Sequence, residues 1–143
     1  MDDLPLTRVR GIRGATTVEH NTREAIVEAA HELLDVLVQR NDVDPSHVAS
    51  AWFTTTMDLD AEFPAVAARE MGWDNVALMC SHEMRVPGSL ERCLRILVHL
   101  NTEKDQADMQ HVYLHGAKVL RPDVAGDQKA GDDGSDQEDE PQE

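Results

Sequence analysis

The spacing of apolar positions predicts one long amphipathic helix in the first third of the chain. Residues 20–42 read HNTREAIVEAAHELLDVLVQRND, with apolar side chains at helical spacing. The members of this apolar face are Ile26, Ala30, Leu33, Leu34 and Leu37. Asn21 followed three residues later by Glu24 is typical of a helix N-cap with its reciprocal acid. We expect this helix to lie across a sheet with its acidic side in water.

Proline and glycine mark two shorter helical elements. Pro64 near the start of residues 63–71 and Gly72 just after them predict a short helix. Asp44 and Pro45 have the order of an N-cap and a first helical position, which predicts one further turn.

Alternating, β-branched and aromatic residues predict five or six strands. The predicted strands are residues 9–17, 48–56, 75–80, 93–100, 109–114 and 118–121. In 93–100, CLRILVHL, alternation places one apolar set on a single face: Leu94, Ile96, Val98 and Leu100. Gly11 and Gly14 predict a bulge or bend in the first strand, and His115-Gly116 a turn between the last two.

These elements predict an α+β domain, with a five- to six-stranded mixed sheet covered by one long and one short helix. One face or edge of such a sheet would stay uncovered, so we expect the chain to associate. The predicted organisation is a mobile N-terminus over 1–8, a folded domain over 9–123 and a disordered acidic tail over 124–143. The tail contains almost no apolar residues.

Composition excludes several classes of partner. The 143 residues carry a formal charge of −15, which disfavours nucleic-acid phosphates and anionic membranes. Ten arginines against three lysines, with this excess of acid, indicate a halophilic-type protein; an ordinary acidic protein is the alternative.

No apolar run approaches the roughly 20 residues that span a bilayer, and MDDLPLTRVR lacks a signal-peptide core. Free thiols at Cys80 and Cys93 fit a reducing compartment, so we expect a cytoplasmic protein.

Four arginines occupy positions where a surface charge would not be needed. Arg13 lies in the first strand, Arg95 interrupts an apolar strand, and Arg121 ends the last predicted strand. Arg69 follows Ala65 by one helical turn. An unpaired guanidinium out of water is costly, so such arginines usually have an anionic partner, and the planar fork suits carboxylates. The alternative is that each pairs with one of the chain's own acids.

Few other residues suggest chemistry. Glu83 directly follows a predicted strand and could bind a hydroxyl or act as a base; a surface carboxylate is the alternative. Tyr113, the one tyrosine, could pack with its hydroxyl bonded to a partner. Cys80, His82 and Glu83 could ligate zinc or form a thiol–base pair, but no further ligands follow at a useful spacing. We therefore expect no metal and no cofactor, since phosphate-loop and dinucleotide motifs are also lacking.

Taken in order, these motifs resemble the monofunctional chorismate mutases of the trimeric pseudo-α/β-barrel class. The matching segments are VRGIRGATT (9–17), FPAVAARE and GW (63–70 and 72–73), CSHEM (80–84), CLR (93–95), HVYL (111–114) and VLRPD (119–123). Each is short, and their common order over residues 9–123 carries the resemblance. It implies a homotrimer with active sites between subunits. It further implies chorismate as substrate and prephenate as product, formed without a cofactor in the branch toward phenylalanine and tyrosine.

The resemblance also implies roles for individual residues. Arg13 and Tyr113 would contact a substrate carboxylate, and Arg95 would face the ether oxygen. Glu83 would face the ring hydroxyl, with Cys80 beside it; Arg95, Glu83 and Arg13 are the predicted catalytic set. Phe63, Ala65 and Leu120 would shape the apolar wall, and Arg69 and Arg121 would help to hold the anion at the cleft rim. Met79 is the remaining predicted substrate contact.

The chemistry of the implied reaction agrees with these residue types. Chorismate is a dianion whose ether oxygen gains negative charge as its bond breaks, and fixed cations in a dry cleft stabilise that charge. No proton has to move, so no Ser/His/Asp set is needed. Two alternatives remain open: a non-catalytic anion sensor using the same cleft, and another small trimeric enzyme such as an imine deaminase.

Overall fold

The computed structural model describes residues 6–122 of the chain. The elements in order are β1 (Arg8–Thr17), α1 (Arg23–Asn41), β2 (Val48–Thr55), α2 (Ala65–Glu70), β3 (Ala77–His82), β4 (Cys93–Thr102) and β5 (Val112–Tyr113). Short 3₁₀ helices occupy Pro45–His47, Gln106–Asp108 and His115–Leu120. The predicted acidic tail over 124–143 lies outside the described residues. Within 6–122, no helix is both long and apolar enough to cross a membrane.

The five strands form one mixed sheet in the order β3-β2-β4-β1-β5. β4 pairs antiparallel with both β1 and β2, while β3 and β5 pair parallel at the two edges. The α+β class, the mixed sheet and the pairing of one long with one short helix are therefore confirmed. The apolar face predicted for β4 is also confirmed, because Leu94, Ile96, Val98 and Leu100 are all buried.

Both helices lie on the same face of the sheet. The predicted apolar face of α1 is wholly buried, and it shares one core with α2 and the inward residues of the strands. Gly14 permits this packing, because a Cβ there would lie 3.2 Å from Leu33 on α1 and 3.2 Å from Ile96 on β4. The expected bulge in β1 was wrong: its pairing with β4 runs unbroken from Arg8 to Thr17.

The start of α1 differs from the prediction. Thr22, and not Asn21, is the N-cap, and its hydroxyl accepts from the Ala25 amide at 3.1 Å. Asn21 instead binds the loop before α2: its Oδ1 accepts from the amides of Asp60 and Ala61 at 3.0 Å each. The predicted turn at Asp44 is confirmed, with that carboxylate accepting from the Ser46 amide.

The end of the folded part is not the predicted hairpin. β5 has only two residues and pairs parallel with β1 at Gly14 and Ala15. Residues 115–120 then form a 3₁₀ helix instead of a strand. Its start is fixed by the Gly116 amide, which donates to Thr17 Oγ1 at 3.1 Å. The described residues therefore form five strands, and Arg121 follows a 3₁₀ helix instead of ending a strand.

Candidate active site

A cavity of about 320 Å³ opens on the face of the sheet opposite α1 and α2, called below the helix-free face because neither α-helix lies on it. It contains four of the predicted site residues: Arg13, Glu83, Arg95 and Tyr113. Other parts of its wall come from side chains that the sequence analysis did not single out: Trp52, Thr54, Ser81 and Leu97. Charged, aromatic and apolar groups thus converge on one concave surface.

The strand register brings these residues together. One row of Cα partners crosses the whole sheet: Ser81, Thr54, Arg95, Ala15 and Tyr113. The row beside it joins Met79, Trp52, Leu97 and Arg13. Residues opposite one another on a sheet have Cβ atoms about 5 Å apart. Positions spread over 100 residues of sequence therefore meet because the strands pair in this register.

Glu83 is held by two hydrogen bonds at the end of β3. Its carboxylate Oε2 accepts from the Thr54 hydroxyl at 2.5 Å, and its amide donates to the Thr55 carbonyl at 2.9 Å. The prediction that Glu83 directly follows a strand is confirmed, since β3 ends at His82. A half-buried carboxylate with one oxygen fixed in this way has a defined orientation toward the cavity.

Arg95 lies half-buried near the start of β4, with its neighbours Leu94 and Ile96 in the core. The charge of Arg95 acts on the thiol of Cys93, two residues earlier on β4. Burial raises the pKa of this thiol, so Cys93 stays protonated and neutral beside the arginine. The positive charge of Arg95 is therefore not neutralised by Cys93.

Tyr113 is packed as predicted. Only 4% of it is exposed, and it forms a small cluster with Ala15, Cys93 and Ala117, against which Leu120 also packs. This cluster lies on the helix-free side and is separate from the main core. The ring is consequently fixed at the wall of the cavity.

Arg13 is exposed, and its backbone has an unusual partner. The Arg13 amide donates to the Nδ1 atom of His111 at 3.0 Å. His111 is half-buried and lies within the electrostatic influence of both Arg13 and Arg121. Arg121, predicted at the cleft rim, therefore acts on the same imidazole as Arg13 does.

The other predicted site residues lie elsewhere, around the edge strand β3. Phe63 and Cys80 line a second cavity of about 320 Å³, and Ser81 is common to both cavities. Phe63 is 66% exposed although it is a large apolar side chain. Burial raises the pKa of the Cys80 thiol, which the Ala65 amide and the charge of Arg69 oppose.

The remaining members of this second group differ in exposure. Ala65 is buried in the main core, whereas Arg69, one turn later on α2, is exposed. Met79 is 57% exposed on the helix-free face, beside Trp52 in the register. One chain therefore presents the predicted residues in two groups, one around Arg95 and one around Cys80, and Met79 lies on the same face of the sheet as the Arg95 group.

The sequence analysis missed four cavity residues because they look like ordinary strand residues. Trp52 is 44% exposed, and its indole N–H donates to Ser81 Oγ at 3.0 Å. Thr54 binds Glu83, and Leu97 is half-buried. The available signal was alternation, since Trp52 and Thr54 face away from the core residues Ala51 and Phe53.

The described residues offer no obvious metal centre. Within 6–122, no three His, Cys, Asp or Glu side chains are grouped so that they could hold an ion. His82, considered with Cys80 as a thiol–base pair, has its Nδ1 atom 3.1 Å from the Thr55 hydroxyl. The cavity therefore offers fixed cations, one carboxylate and hydrogen-bond donors around a concave surface.

Comparison with known proteins agrees with this arrangement. The sequence profile of the chorismate mutase type I family matches residues 9–124. Chorismate mutase AroH of Bacillus subtilis is 42% identical over 118 residues, covering 82% of this chain and 93% of that protein. Its Thermus thermophilus counterpart is 47% identical over 117 residues, covering 81% and 96%. The solved chorismate mutase from Clostridium thermocellum has 54% identity and a TM-score of 0.76, covering 77% of this chain and 98% of its own. The chain therefore belongs to the chorismate mutase type I family.

Proposed function

We infer that this protein is a chorismate mutase, an isomerase that converts chorismate to prephenate in the branch toward phenylalanine and tyrosine. The observation that carries this proposal is the meeting of Arg13, Arg95, Glu83 and Tyr113 in one cavity. The reaction is an intramolecular rearrangement in which one C–O bond breaks and one C–C bond forms. It needs a folded substrate and stabilised charge, and it needs no proton transfer.

Arg95 is assigned to the ether oxygen. Negative charge grows on that oxygen as the C–O bond breaks, so a fixed guanidinium stabilises the transition state more than the ground state. Its place on the central strand β4 supports this role, because the backbone there is held by pairing on both sides. Removal of one such preorganised donor typically costs about 3 kcal/mol of transition-state stabilisation.

Arg13 and Tyr113 are assigned to a substrate carboxylate, and Glu83 to the ring hydroxyl. A guanidinium and a phenol can both donate to a carboxylate, and a carboxylate accepts from a hydroxyl. These contacts would hold the substrate with its reacting carbons close together, which lowers the entropic part of the barrier. A chain of net charge −15 would repel a dianionic substrate. The two arginines in the cavity supply local positive charge that opposes this repulsion.

We propose that the complete site forms between the subunits of a homotrimer. The two groups of predicted residues are presented separately on one chain, so the group around Cys80 of one subunit would face the group around Arg95 of the next. The helix-free face supports association, because it exposes Trp52 and Met79, large apolar side chains that a lone subunit would leave in water. Phe63, Arg69 and Met79 would then complete the wall and rim for a neighbouring Arg95.

The protein is further proposed to be cytoplasmic, where its two free cysteines would stay reduced. No cofactor is required by the proposed chemistry.

Purified protein incubated with chorismate tests the function. Loss of the substrate's diene absorbance well above the spontaneous rate is the expected result. Calorimetric binding of chorismate without turnover would instead favour an anion sensor. Light scattering in molar potassium chloride tests the trimer, since the mass should be three times the 15.9 kDa of one chain.

A further inference from the structure

We propose that His111, as a neutral imidazole, is a positioning residue that fixes Arg13 for substrate binding. This inference rests on the role of Arg13 in the proposed function. None of the roles assigned above requires His111 to touch the substrate. Its effect is exerted through the backbone of Arg13.

The outer edge of β1 explains why a histidine is needed there. β5 is only two residues long and covers β1 at Gly14 and Ala15 alone. Upstream of these residues, side chains bind the edge in place of a strand. The Gln106 amide group accepts from the Gly11 N–H at 2.9 Å and donates to the Gly11 carbonyl at 2.7 Å. Two residues later, His111 Nδ1 accepts from the Arg13 N–H at 3.0 Å.

This hydrogen bond defines the protonation state of the ring. A ring nitrogen accepts only through a free lone pair, so Nδ1 carries no proton and the proton of the neutral ring is on Nε2. A second proton would go to Nδ1, abolish the acceptor and leave the Arg13 N–H facing an N–H group. Protonation of His111 would therefore release Arg13 from its edge contact.

The surroundings of His111 favour the neutral ring. Burial lowers the pKa of His111 below its ordinary value of 6.5, and the charges of Arg13 and Arg121 lower it further. Within residues 6–122, one of these arginines acts on the ring from β1 and the other from the segment after the last 3₁₀ helix. A third cation between them would be unfavourable.

The backbone next to His111 is anchored independently. Asn41, the buried last residue of α1, accepts from the Gln110 amide at 2.7 Å and donates to the Gln110 carbonyl at 2.9 Å. The residue before His111 is thus fixed to the main core. The His111 imidazole can therefore hold the Arg13 backbone in place, because the neighbouring Gln110 is bonded to Asn41 and the Nδ1 atom of His111 is bonded to the Arg13 amide.

The sign of the pH effect follows from the lowered pKa. The unfolded chain takes up a proton on His111 at higher pH than the folded chain does. The contribution of His111 to the free energy of unfolding is therefore complete above about pH 6.5. It is lost as the pH falls from there toward the lower pKa of the folded state. Substrate binding through Arg13 should weaken as the pH falls through the lower pKa of the folded state, because only there does the folded ring take up its second proton.

The test compares kcat and KM of the wild type, His111→Asn and His111→Ala between about pH 5 and pH 8. The Asn Oδ1 atom can take the place of Nδ1 as acceptor, but it does not titrate. We expect His111→Asn to keep kcat/KM within about twofold at neutral pH and to lose part of the acidic decline that the wild type shows. His111→Ala should raise KM about tenfold, the equivalent of one hydrogen bond. His31→Asn, on the exposed side of α1, is the matched control and should match the wild type.

A second readout does not depend on activity. In ¹⁵N-labelled protein, a through-hydrogen-bond coupling between the Arg13 amide nitrogen and His111 Nδ1 should be present at neutral pH and disappear on acidification. An enzyme without that coupling, or a His111→Asn variant with an unchanged acidic decline, would overturn this inference while leaving the proposed function intact. A wild-type protein that shows the coupling but does not consume chorismate would instead overturn the proposed function.

Discussion

The hydroxyl of Thr54 donates to Glu83 Oε2 at 2.5 Å, from the strand position directly opposite Arg95. One threonine thus fixes the carboxylate beside the cation proposed to act on the ether oxygen. This relationship joins three strands, because Thr54 is on β2, Glu83 follows β3 and Arg95 is on β4.

Thr54→Val should lower kcat/KM about tenfold, because one charge-assisted hydrogen bond is worth roughly 1.5 kcal/mol or more. Steady-state kinetics and thermal unfolding measure the effect, and we expect little change in the unfolding midpoint since Glu83 is only half-buried. Thr102→Val, at the far end of β4, is the control. Unchanged kinetics for Thr54→Val would show that Glu83 does not need this orientation.

Arg95→Ala should reduce kcat by about 100-fold or more with the fold intact, because the developing charge loses its fixed donor. Arg95→Lys should also be poor, since an ammonium on a flexible stem lacks the directed fork of a guanidinium. Arg8→Ala, an exposed arginine at the start of β1, controls for general loss of positive charge. A fully active Arg95→Lys enzyme would mean that charge alone, without direction, is sufficient.

Gly116→Ala should destabilise the fold by about 1–3 kcal/mol through overpacking. Its Cβ would lie 3.0 Å from Thr17 Cγ2, closer than side-chain carbons normally approach. Gly11→Ala is the matched control in the same region, because its nearest neighbour would be Leu97 at an ordinary 3.8 Å. Denaturant unfolding of Gly116→Ala with and without Thr17→Ala measures the clash. Strictly additive effects in this double-mutant cycle would contradict it.

Asn41→Ala should cost about 2–4 kcal/mol of unfolding free energy, because it leaves the Gln110 N–H and carbonyl without their buried partner. Urea denaturation gives the value. Gln39→Ala, on the exposed side of the same helix turn, should change stability very little. A loss below about 0.5 kcal/mol for Asn41→Ala would mean that water replaces the amide.

The sequence predicted those parts of the fold in which local pattern and tertiary packing agree. The apolar faces of α1 and β4 are regular over several turns or residues, and both are buried as expected. Prediction failed at the chain end, where HVYL alternates like a longer strand. There only two residues, Val112 and Tyr113, pair with β1. The chain then turns into a 3₁₀ helix, in which the Gly116 amide bonds to Thr17.

The candidate site was predicted through motif resemblance more than through the chemistry of single residues. Arg13, Arg95 and Glu83 carry chemistry that is visible in a sequence, whereas Thr54 and Ser81 are ordinary strand residues until the register is known. Asn21 shows the same limit, because a residue suited to capping a helix instead binds a loop 39 positions away. Long-range pairing decides such cases, and one sequence does not contain it explicitly.

The most direct test of the account mixes two variants, Arg95→Ala and Arg69→Ala, after dissociating and reassembling their subunits; each variant alone should lose most of its activity, because each lacks one proposed substrate contact. If each site takes one group from each of two subunits, an intact site needs Arg95 from one variant and Arg69 from the other. Random reassembly at equal amounts should then restore about one quarter of wild-type chorismate turnover. Activity no greater than the average of the two separate variants would contradict a site shared between subunits.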